Sequence, residues 1–377
     1  MRFFNPTKIV YGPGKLNDLS SILRDEIRAK EPFLVTDAGI RSSGLLDQAL
    51  SQFENITVFD AVEQNPRHST VNRGGEIIRR IKPDVVIALG GGSVLDAAKA
   101  IALLATNPGN IEDYEGKGKY NTAPLPVCAI PTTCGTGSEV TWVAVITNTE
   151  RRFKMSIKGP LMFPAVALVD PDLLITLPPP LVASTGMDAL THAVEGFTVK
   201  GATVLTDVFA LESVRYIFKY IERAYKDIVG DKEAREGLML GSLLAGMSFG
   251  NSDVGAVHCI AESIGSMYDT PHGVANAVFL PFVMEFNLPA CQTRFAKLAS
   301  AAGLSGGDEL SSAANLIERV RELSSALGIP QVTELGIADG DLAEIARKSF
   351  ENNSTPSNPR DVSADDYAAI ISRALRS

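Results

Sequence analysis

The chain has 377 residues, of which 45% are hydrophobic and 21% charged, and its formal net charge is −9. This composition excludes an intrinsically disordered protein, and the length predicts two domains rather than one. The negative charge and the lack of any Lys/Arg cluster argue against a nucleic-acid-binding protein. No apolar run approaches the ~20 residues of a membrane span, and "MRFFNPTKIVYGPGKL" lacks the apolar core of a signal peptide. We therefore expect a cytoplasmic protein without membrane contact.

The cysteines show no paired spacing and no CxxC motif. In a chain of this length, that pattern predicts reduced thiols in a cytosolic protein and no thiolate metal site. The four residues are Cys128, Cys134, Cys259 and Cys291.

The first half of the chain alternates short apolar runs with amphipathic ones. Buried strands are predicted for "PFLVTD" (32–37), "NITVFD" (55–60), "DVVIALG" (84–90) and "LPVCAIP" (125–131), which are rich in Val and Ile and end at turn residues. Between them, "LLDQALSQF", "VNRGGEIIRRIK" and "VLDAAKAIALLA" have helical periodicity. This alternation predicts a parallel sheet covered by helices on both faces. From residue 141, "TWVAVITNTERRFKMSIKG" predicts a β-hairpin, and "AVALVDPDLL" predicts one further strand.

The proline run "LPPPL" (177–181) marks a change of pattern. Beyond it the strand signal vanishes, and long helical windows follow at 204–225, 232–249, 254–268, 308–327 and 364–375. We therefore predict an α/β domain over residues 1–180 and an all-helical domain over residues 181–377.

Two glycine-rich turns follow predicted strands. "VVIALGGGSVLDAAKA" runs through Gly91, Gly92 and Ser93 into a helix, whose unpaired N–H groups can bind an anion such as a pyrophosphate. "IPTTCGTGSEVT" (130–141) places threonine and serine hydroxyls beside flexible glycine backbone. Each loop alone is also compatible with a purely structural turn. Two such loops at the carboxyl ends of parallel strands favour a nucleotide site.

Asp37 ends the predicted strand "PFLVTD". A carboxylate at a strand end accepts hydrogen bonds from ribose hydroxyls and repels a 2′-phosphate, so it favours NAD over NADP. It precedes the glycine run, whereas the usual dinucleotide fingerprint places the acid about 20 residues after it. The order therefore differs from a standard Rossmann domain, and a turn-forming aspartate is the structural alternative.

The stretch "TGMDALTHAVEGF" (185–197) places Asp188 and His192 on one face of a predicted helix, because residues four apart are neighbours there. His258 lies in another predicted helix, and His272 lies at a predicted helix start. One carboxylate and three imidazoles form a donor set suited to Fe²⁺ or Zn²⁺ and less to Mg²⁺ or Ca²⁺. Any one of these histidines alone is as easily a buried, hydrogen-bonded side chain, but their concentration favours a metal site. His68, in the polar "NPRHST", is predicted to be a surface or loop residue.

Four of these segments together resemble the iron-containing (group III) alcohol dehydrogenases: "GGGSVLDAAKA", "PTTCGTGSEVT", "DALTHAVEG" and "HCIAESIGSMYDTPHGVANAVFLP". The similarity runs from "FFNPTKIVYGPG" to near the C-terminus. It implies a dehydroquinate synthase-like architecture, with a Rossmann-like N-terminal dinucleotide-binding domain, a helical C-terminal metal domain and the active site in the cleft between them. Members of the family usually form homodimers or larger homo-oligomers.

The resemblance assigns the metal-ligand role to Asp188, His192, His258 and His272. It assigns nicotinamide-cofactor contacts to a larger set from the first half of the chain and its boundary. That set is Asp37, Asn65, Gly91, Gly92, Ser93, Thr132, Thr133, Thr136, Thr141, Lys154, Leu173, Thr176 and Leu177. A surface salt bridge is the alternative for Lys154.

Two positions depart from the family pattern. Many members carry a second histidine one turn after the ligand in the His258 segment, near the substrate and cofactor, where this chain has Glu262. Four roles are open to Glu262: it relays protons, hydrogen-bonds the substrate hydroxyl, acts as an extra metal ligand, or is purely structural. We take the proton relay as the working prediction. Asp253 stands where the family usually has a small or apolar residue. Trp142 and Phe249 are predicted walls of the substrate pocket, with ordinary core packing as the alternative.

The resulting hypothesis is an oxidoreductase of the alcohol dehydrogenase (EC 1.1.1) class. It interconverts a small alcohol and its aldehyde or ketone by hydride transfer, with NAD (alternatively NADP) and Fe²⁺ (alternatively Zn²⁺) as cofactors. The alternatives are a polyol or glycerol dehydrogenase, a cyclase resembling dehydroquinate synthase, and a non-catalytic nucleotide- and metal-binding protein.

Overall fold

The computed structural model describes residues 3–304 and 306–376. Its contacts divide the chain into two compact units. We call Asn5–Thr133 with Gly137–Thr176 the α/β unit. We call Cys134–Thr136 and the chain from Leu177 onward, with the N-terminal residues up to Phe4, the helical unit.

The strands of the α/β unit form a six-stranded sheet in the order β1-β9-β6-β4-β2-β3 and a three-stranded sheet in the order β5-β8-β7. All pairings within the larger sheet are parallel, as predicted. The strands are β1 (Lys8–Tyr11), β2 (Pro32–Val35), β3 (Thr57–Phe59), β4 (Val85–Gly90), β5 (Gly116–Lys117), β6 (Val127–Pro131), β7 (Val143–Asn148), β8 (Phe153–Lys158) and β9 (Val166–Val169).

The strand order explains why Asp37 precedes the glycine run along the chain. From β2 the chain moves to β3 on one side, and it returns to place β4 on the other side of β2 and β6 beyond β4. Connections from β2 and β4 therefore leave in opposite directions, which creates a topological switch point at the carboxyl ends of these two strands. Ligands bind at such points in open α/β sheets.

Both faces of the large sheet are buried under other elements. Successive side chains of a strand point to opposite faces, so neighbouring residues of one strand belong to different apolar clusters. Val86 and Ala88 of β4 belong to one apolar cluster, whereas Val85, Ile87 and Leu89 belong to the other. Helices α4 and α5 and the β7–β8 hairpin cover the first face, and α1 to α3 cover the second. The bounds of these helices are α1 (Leu19–Ile22), α2 (Ala38–Ser43), α3 (Leu45–Leu50), α4 (His68–Ile81) and α5 (Gly92–Thr106).

The predicted hairpin is confirmed, since β7 and β8 pair antiparallel from Val143 opposite Lys158 to Asn148 opposite Phe153. The edge strand β1 was not predicted from the sequence. It has only four residues, and Ile9 and Tyr11 are exposed, so it lacks the buried apolar pattern of the central strands.

Among the described residues of the helical unit, all regular structure is helical. The α-helices are α6 (Pro179–Thr198), α7 (Val204–Lys226), α8 (Lys232–Ser252), α9 (Ala256–Tyr268), α10 (His272–Ala301), α11 (Glu309–Ala326), α12 (Leu342–Glu351) and α13 (Ala364–Ala374). The proline run starts α6 rather than only separating two segments, because proline is tolerated in the first helical turn.

Helix α10 is 30 residues long and continues through Pro281 and Pro289, which hid its length from sequence analysis. By length and composition it is apolar enough to cross a membrane. However, 61% of its most apolar window is buried inside the protein, as expected of a core helix. It packs against α6, α9 and α11.

Candidate metal centre and cofactor site

Three helices of the helical unit bring four side chains together. Asp188 and His192 lie on α6, His258 lies near the start of α9, and His272 is the first residue of α10. One potential ligand atom from each residue lies within 4.8 Å of those of the other three. We call these four residues the ligand cluster.

The spacing within the ligand cluster fits a shared cation. The Nε2 atoms of His192 and His258 are 2.9 Å apart, and Asp188 Oδ1 lies 3.8 Å from His272 Nε2. Two imidazole nitrogens on one Zn²⁺, each at about 2.1 Å, lie roughly 3.0–3.4 Å apart. A mixed oxygen and nitrogen donor set of this kind suits Zn²⁺ or Fe²⁺. The residues present therefore fit a divalent transition-metal ion.

The surroundings of His192 favour neutral imidazole, which is the form that binds metals, whereas the carboxylates of Glu195 and Asp188 raise the pKa of His258. Burial lowers the pKa of His192 to about 3, although the Asp188 carboxylate opposes this shift. His272 differs from the other three ligands because 28% of its side chain is exposed. It is thus the member of the cluster open to solvent or to a small molecule.

Two buried residues that sequence analysis overlooked hold members of the cluster. Glu195 Oε2 lies 2.6 Å from His258 Nδ1. The Asn276 amide nitrogen donates to Asp188 Oδ1 at 2.6 Å and lies 3.2 Å from His272 Nε2. Helical spacing could have revealed both, since Glu195 follows Asp188 by seven residues and Asn276 follows His272 by four.

The two predicted pocket aromatics have different surroundings. Phe249, half-buried on α8, stacks on the ring of His192 with the centroids 4.1 Å apart. Trp142, in the α/β unit, stacks on Phe163 at 6.5 Å, and Lys117 Nζ lies 4.9 Å from its ring centre. Phe249 thus touches a member of the ligand cluster within its own unit.

In the α/β unit, predicted cofactor residues follow adjacent strands at the same edge of the sheet. Asp37 follows β2, and its Oδ1 accepts the N–H of Ile40, which caps α2. Gly91 follows β4 as the N-cap of α5, and Gly92 and Ser93 form the first turn. A Cβ at Gly91 would lie 3.2 Å from the Thr133 methyl group, so glycine allows the two loops to approach closely.

The loop after β6 is tied to α5 by residues outside the predicted cofactor set. Asp96 accepts the Ser138 hydroxyl at 2.5 Å and the Val145 N–H at 2.9 Å. The buried Lys99 ammonium donates to the carbonyls of Ser138 and Val143. Thr141, also buried, hydrogen-bonds the Ser138 carbonyl at 3.4 Å. These bonds hold the loop, whereas Thr132 and Thr133 lie at its start, directly after β6.

The remaining predicted cofactor residues are divided between the two units. Lys154 is buried and donates to Asn65 Oδ1 at 2.8 Å, so the alternative of a surface salt bridge is wrong. Leu173 and Thr176 lie on the short 3₁₀ helix Pro171–Thr176 that follows β9. Thr136 and Leu177 belong to the helical unit.

Both departures from the family pattern contact the segment 352–357. Glu262 Oε2 accepts the Asn352 amide at 2.6 Å. Asp253, which has a φ of 96°, accepts the hydroxyls of Ser354 at 3.0 Å and Ser357 at 2.7 Å. Each of the two acidic side chains therefore has a structural contact with the same stretch of chain.

His68 and the four cysteines are not members of the ligand cluster. The prediction that His68 is a surface or loop residue was wrong, because it is buried at the start of α4, with Nδ1 3.3 Å from the Thr147 carbonyl. All four cysteines are free and buried. Burial raises the pKa of Cys128 to about 12 and of Cys134 to about 11, so these sulfurs stay neutral thiols.

Comparison with known proteins places the chain in a family. Residues 6–171 match the family described as "Iron-containing alcohol dehydrogenase", and residues 182–375 match "Fe-containing alcohol dehydrogenase family, C-terminal". The chain is 37% identical to the NAD-dependent methanol dehydrogenase of Bacillus methanolicus, covering 99% of both chains. It is 38% identical to the 1,3-propanediol dehydrogenase of Klebsiella pneumoniae over 92% of both. A solved 1,3-propanediol oxidoreductase superimposes with a TM-score of 0.95 at 36% identity, covering 99% of each chain. The chain therefore belongs to the iron-containing alcohol dehydrogenase family.

Proposed function

We propose that this protein interconverts a small primary or secondary alcohol and its aldehyde or ketone, using a nicotinamide cofactor and a divalent metal ion. The observation that carries the proposal is the ligand cluster, in which a carboxylate and three imidazoles converge within 4.8 Å. Membership of the iron-containing alcohol dehydrogenase family supports the same class of reaction. Fe²⁺ is the proposed metal and NAD the proposed cofactor, with Zn²⁺ and NADP as alternatives.

Asp188, His192, His258 and His272 are the proposed metal ligands. When bound, the metal supplies Lewis acidity at the substrate oxygen, and the nicotinamide supplies or accepts the hydride. The chain contributes at least one neutral imidazole, since burial keeps His192 unprotonated. The partly exposed His272 marks the side from which a substrate oxygen would approach.

The proposed cofactor contacts are the thirteen residues assigned by resemblance, of which eleven lie in the α/β unit. Their support is the position of Asp37 and Gly91 at the carboxyl ends of the neighbouring strands β2 and β4. The first turn of α5 offers N–H groups to a pyrophosphate, and Asp37 offers a carboxylate to a ribose.

Phe249 and Glu262 are proposed to contact the substrate. The Phe249 ring covers one face of His192 and would keep water from that ligand and present an apolar wall to a short carbon chain. Glu262 is held by Asn352 and lies one helical turn beyond His258, so it is proposed to accept a hydrogen bond from the substrate hydroxyl or to relay its proton. Trp142 remains a proposed pocket wall.

Two further properties are proposed, a cytoplasmic location and a homo-oligomeric state. Four free, buried thiols suit the reducing cytoplasm. A homodimer or larger homo-oligomer is expected from the family resemblance, and sedimentation velocity of the purified protein tests it.

The decisive experiment reconstitutes the metal-free protein anaerobically with Fe²⁺ or Zn²⁺. NADH and NADPH consumption is then followed over a panel of small aldehydes and ketones, and NAD⁺ reduction over the matching alcohols. Asp188→Ala and His258→Ala should lose bound metal, and their turnover should fall at least about a thousandfold, because loss of the Lewis acid raises the barrier by several kcal/mol. Both variants should still bind NADH in a fluorescence titration.

The matched control is His68→Ala, which removes the one histidine outside the ligand cluster. It should keep the metal stoichiometry of the unsubstituted protein. Ligand variants that stay fully active in chelator would overturn the metal assignment. Activity confined to polyols would identify a glycerol-type dehydrogenase, whereas turnover without net cofactor consumption would identify a cyclase.

A further inference from the structure

Glu195 lies on the same face of α6 as two proposed metal ligands. Asp188, His192 and Glu195 are spaced at i, i+4 and i+7, which places them in one row along the helix. The side chain is buried, and its carboxylate contacts α9 rather than solvent. A buried charge in this row requires an explanation, because a carboxylate is costly to remove from water unless it is fully hydrogen-bonded.

The carboxylate of Glu195 is saturated by donors from the first turn of α9. Oε2 accepts the N–H of Gly255 at 2.9 Å and contacts His258 Nδ1 at 2.6 Å, while Oε1 accepts the N–H of Val257 at 2.8 Å. An ionised carboxylate is acceptor-only, so the proton in the contact with His258 lies on Nδ1. The Nε2 atom of a neutral His258 then carries the lone pair.

That lone pair points into the ligand cluster. His258 Nε2 is 2.9 Å from His192 Nε2 and 3.1 Å from the Asn276 amide nitrogen. Hydrogen bonding of the second ring nitrogen to a carboxylate fixes the tautomer of a metal-binding histidine and raises its basicity.

We propose that Glu195 is a positioning residue that holds His258 in the tautomer and orientation required to bind the metal, and thereby sets metal affinity. This inference rests on the proposed metal centre. It assigns Glu195 a role beyond capping α9, which is the purely structural function that its two backbone contacts would also satisfy.

The substitution Glu195→Gln separates these roles. Three N–H groups surround the carboxylate, and an amide offers only one acceptor oxygen. The amide of the variant is forced either to lose a backbone contact or to donate to His258 Nδ1, which moves the ring proton to Nε2. We expect the dissociation constant for Zn²⁺ or Co²⁺, measured by competition with a chromophoric chelator, to rise roughly ten- to hundredfold. The visible absorption of the Co²⁺ form should also change.

A matched control is Glu285→Gln on α10. Glu285 is a partly buried carboxylate of the helical unit, and it pairs with Arg321 and Arg373 instead of a histidine. This variant should lower the melting temperature without changing the metal dissociation constant. If Glu195→Gln lowers the melting temperature and leaves metal affinity within twofold of the unsubstituted protein, Glu195 is only a cap and the proposal is wrong.

A measurement on the unsubstituted protein keeps the test independent of folding of the variant. With only four histidines in the chain, the ring nitrogens of the ¹⁵N-labelled, Zn²⁺-loaded protein are assignable by long-range ¹H–¹⁵N correlation. We expect His258 to show a protonated Nδ1 and a metal-bound Nε2. A protonated Nε2 would overturn the role of Glu195, whereas failure of the unsubstituted protein to bind any metal would overturn the proposed function itself.

Discussion

The proposed cofactor residues of the α/β unit are grouped by adjacent parallel strands, whereas the ligand cluster of the helical unit is assembled from α6, α9 and α10. In the first case the backbone creates the site, since every parallel strand delivers its following loop to the same edge. In the second case the backbone only supports the site, and the chemistry lies in four side chains. Changes of side chain should therefore affect the helical unit most, and changes at loop positions should tune the α/β unit.

The largest effect expected outside the metal ligands themselves would break this simple division, because it comes from a backbone position in the helical unit. A Cβ at Gly273 would lie 2.4 Å from the Ser184 carbonyl oxygen and 3.3 Å from the Asp188 Cβ. Gly273→Ala must therefore push the start of α10, with His272, away from α6. We expect metal affinity, measured by chelator competition, to fall on the order of 10- to 100-fold.

Gly340→Ala is the matched control for this substitution, because a Cβ at Gly340 meets nothing within 4 Å. Its metal affinity should equal that of the unsubstituted protein. Unchanged affinity in Gly273→Ala would show that the helix contact does not position His272.

A smaller effect is expected at the proposed cofactor edge of the α/β unit. Asp37→Gly removes the carboxylate proposed to repel a 2′-phosphate, so the ratio of kcat/KM for NADPH over NADH should rise roughly tenfold. Because glycine is a tolerated N-cap, loss of the bond to Ile40 should cost only a few tenths of a kcal/mol. Asp37→Asn keeps a capping oxygen without the charge. If Asp37→Asn leaves the ratio of kcat/KM for NADPH over NADH unchanged while Asp37→Gly raises it, loop shape rather than charge selects the cofactor.

The smallest effect on chemistry, but a clear one on stability, is expected at Glu139 in the loop after β6. Burial raises the pKa of Glu139 from 4.5 to about 7. Between these values the folded protein binds more protons than the unfolded chain, so stability should fall as the pH rises through this window. The free energy of unfolding should decrease by about 3 kcal/mol across this window.

Glu139→Gln should abolish this pH dependence, measured from urea unfolding midpoints at pH 5 and pH 8. The exposed Glu150→Gln serves as the control and should retain the fall. An identical pH profile in Glu139→Gln and the unsubstituted protein would contradict the buried-carboxyl argument.

Much of the fold followed from periodicity. The central strands and the helices with unbroken amphipathic windows were predicted close to their observed bounds, because their burial pattern is local. The edge strand β1 and helix α10 were not, since an exposed edge carries little apolar signal and the prolines of α10 imitate helix ends. His68 was misjudged because polar neighbours in sequence do not reveal what packs over a side chain.

Sequence alone determined the parallel α/β class of the first half, the helical second half and the residue types that the proposed site uses, because these follow from local periodicity and from the rarity of histidine. Only the tertiary structure decided that β4 lies beside β2, so that Asp37 and Gly91 share one edge, and that Glu195 meets His258 across two helices. The reason is physical. Neighbours along a helix or strand are set by its repeat, whereas neighbours between elements are set by how their buried faces pack.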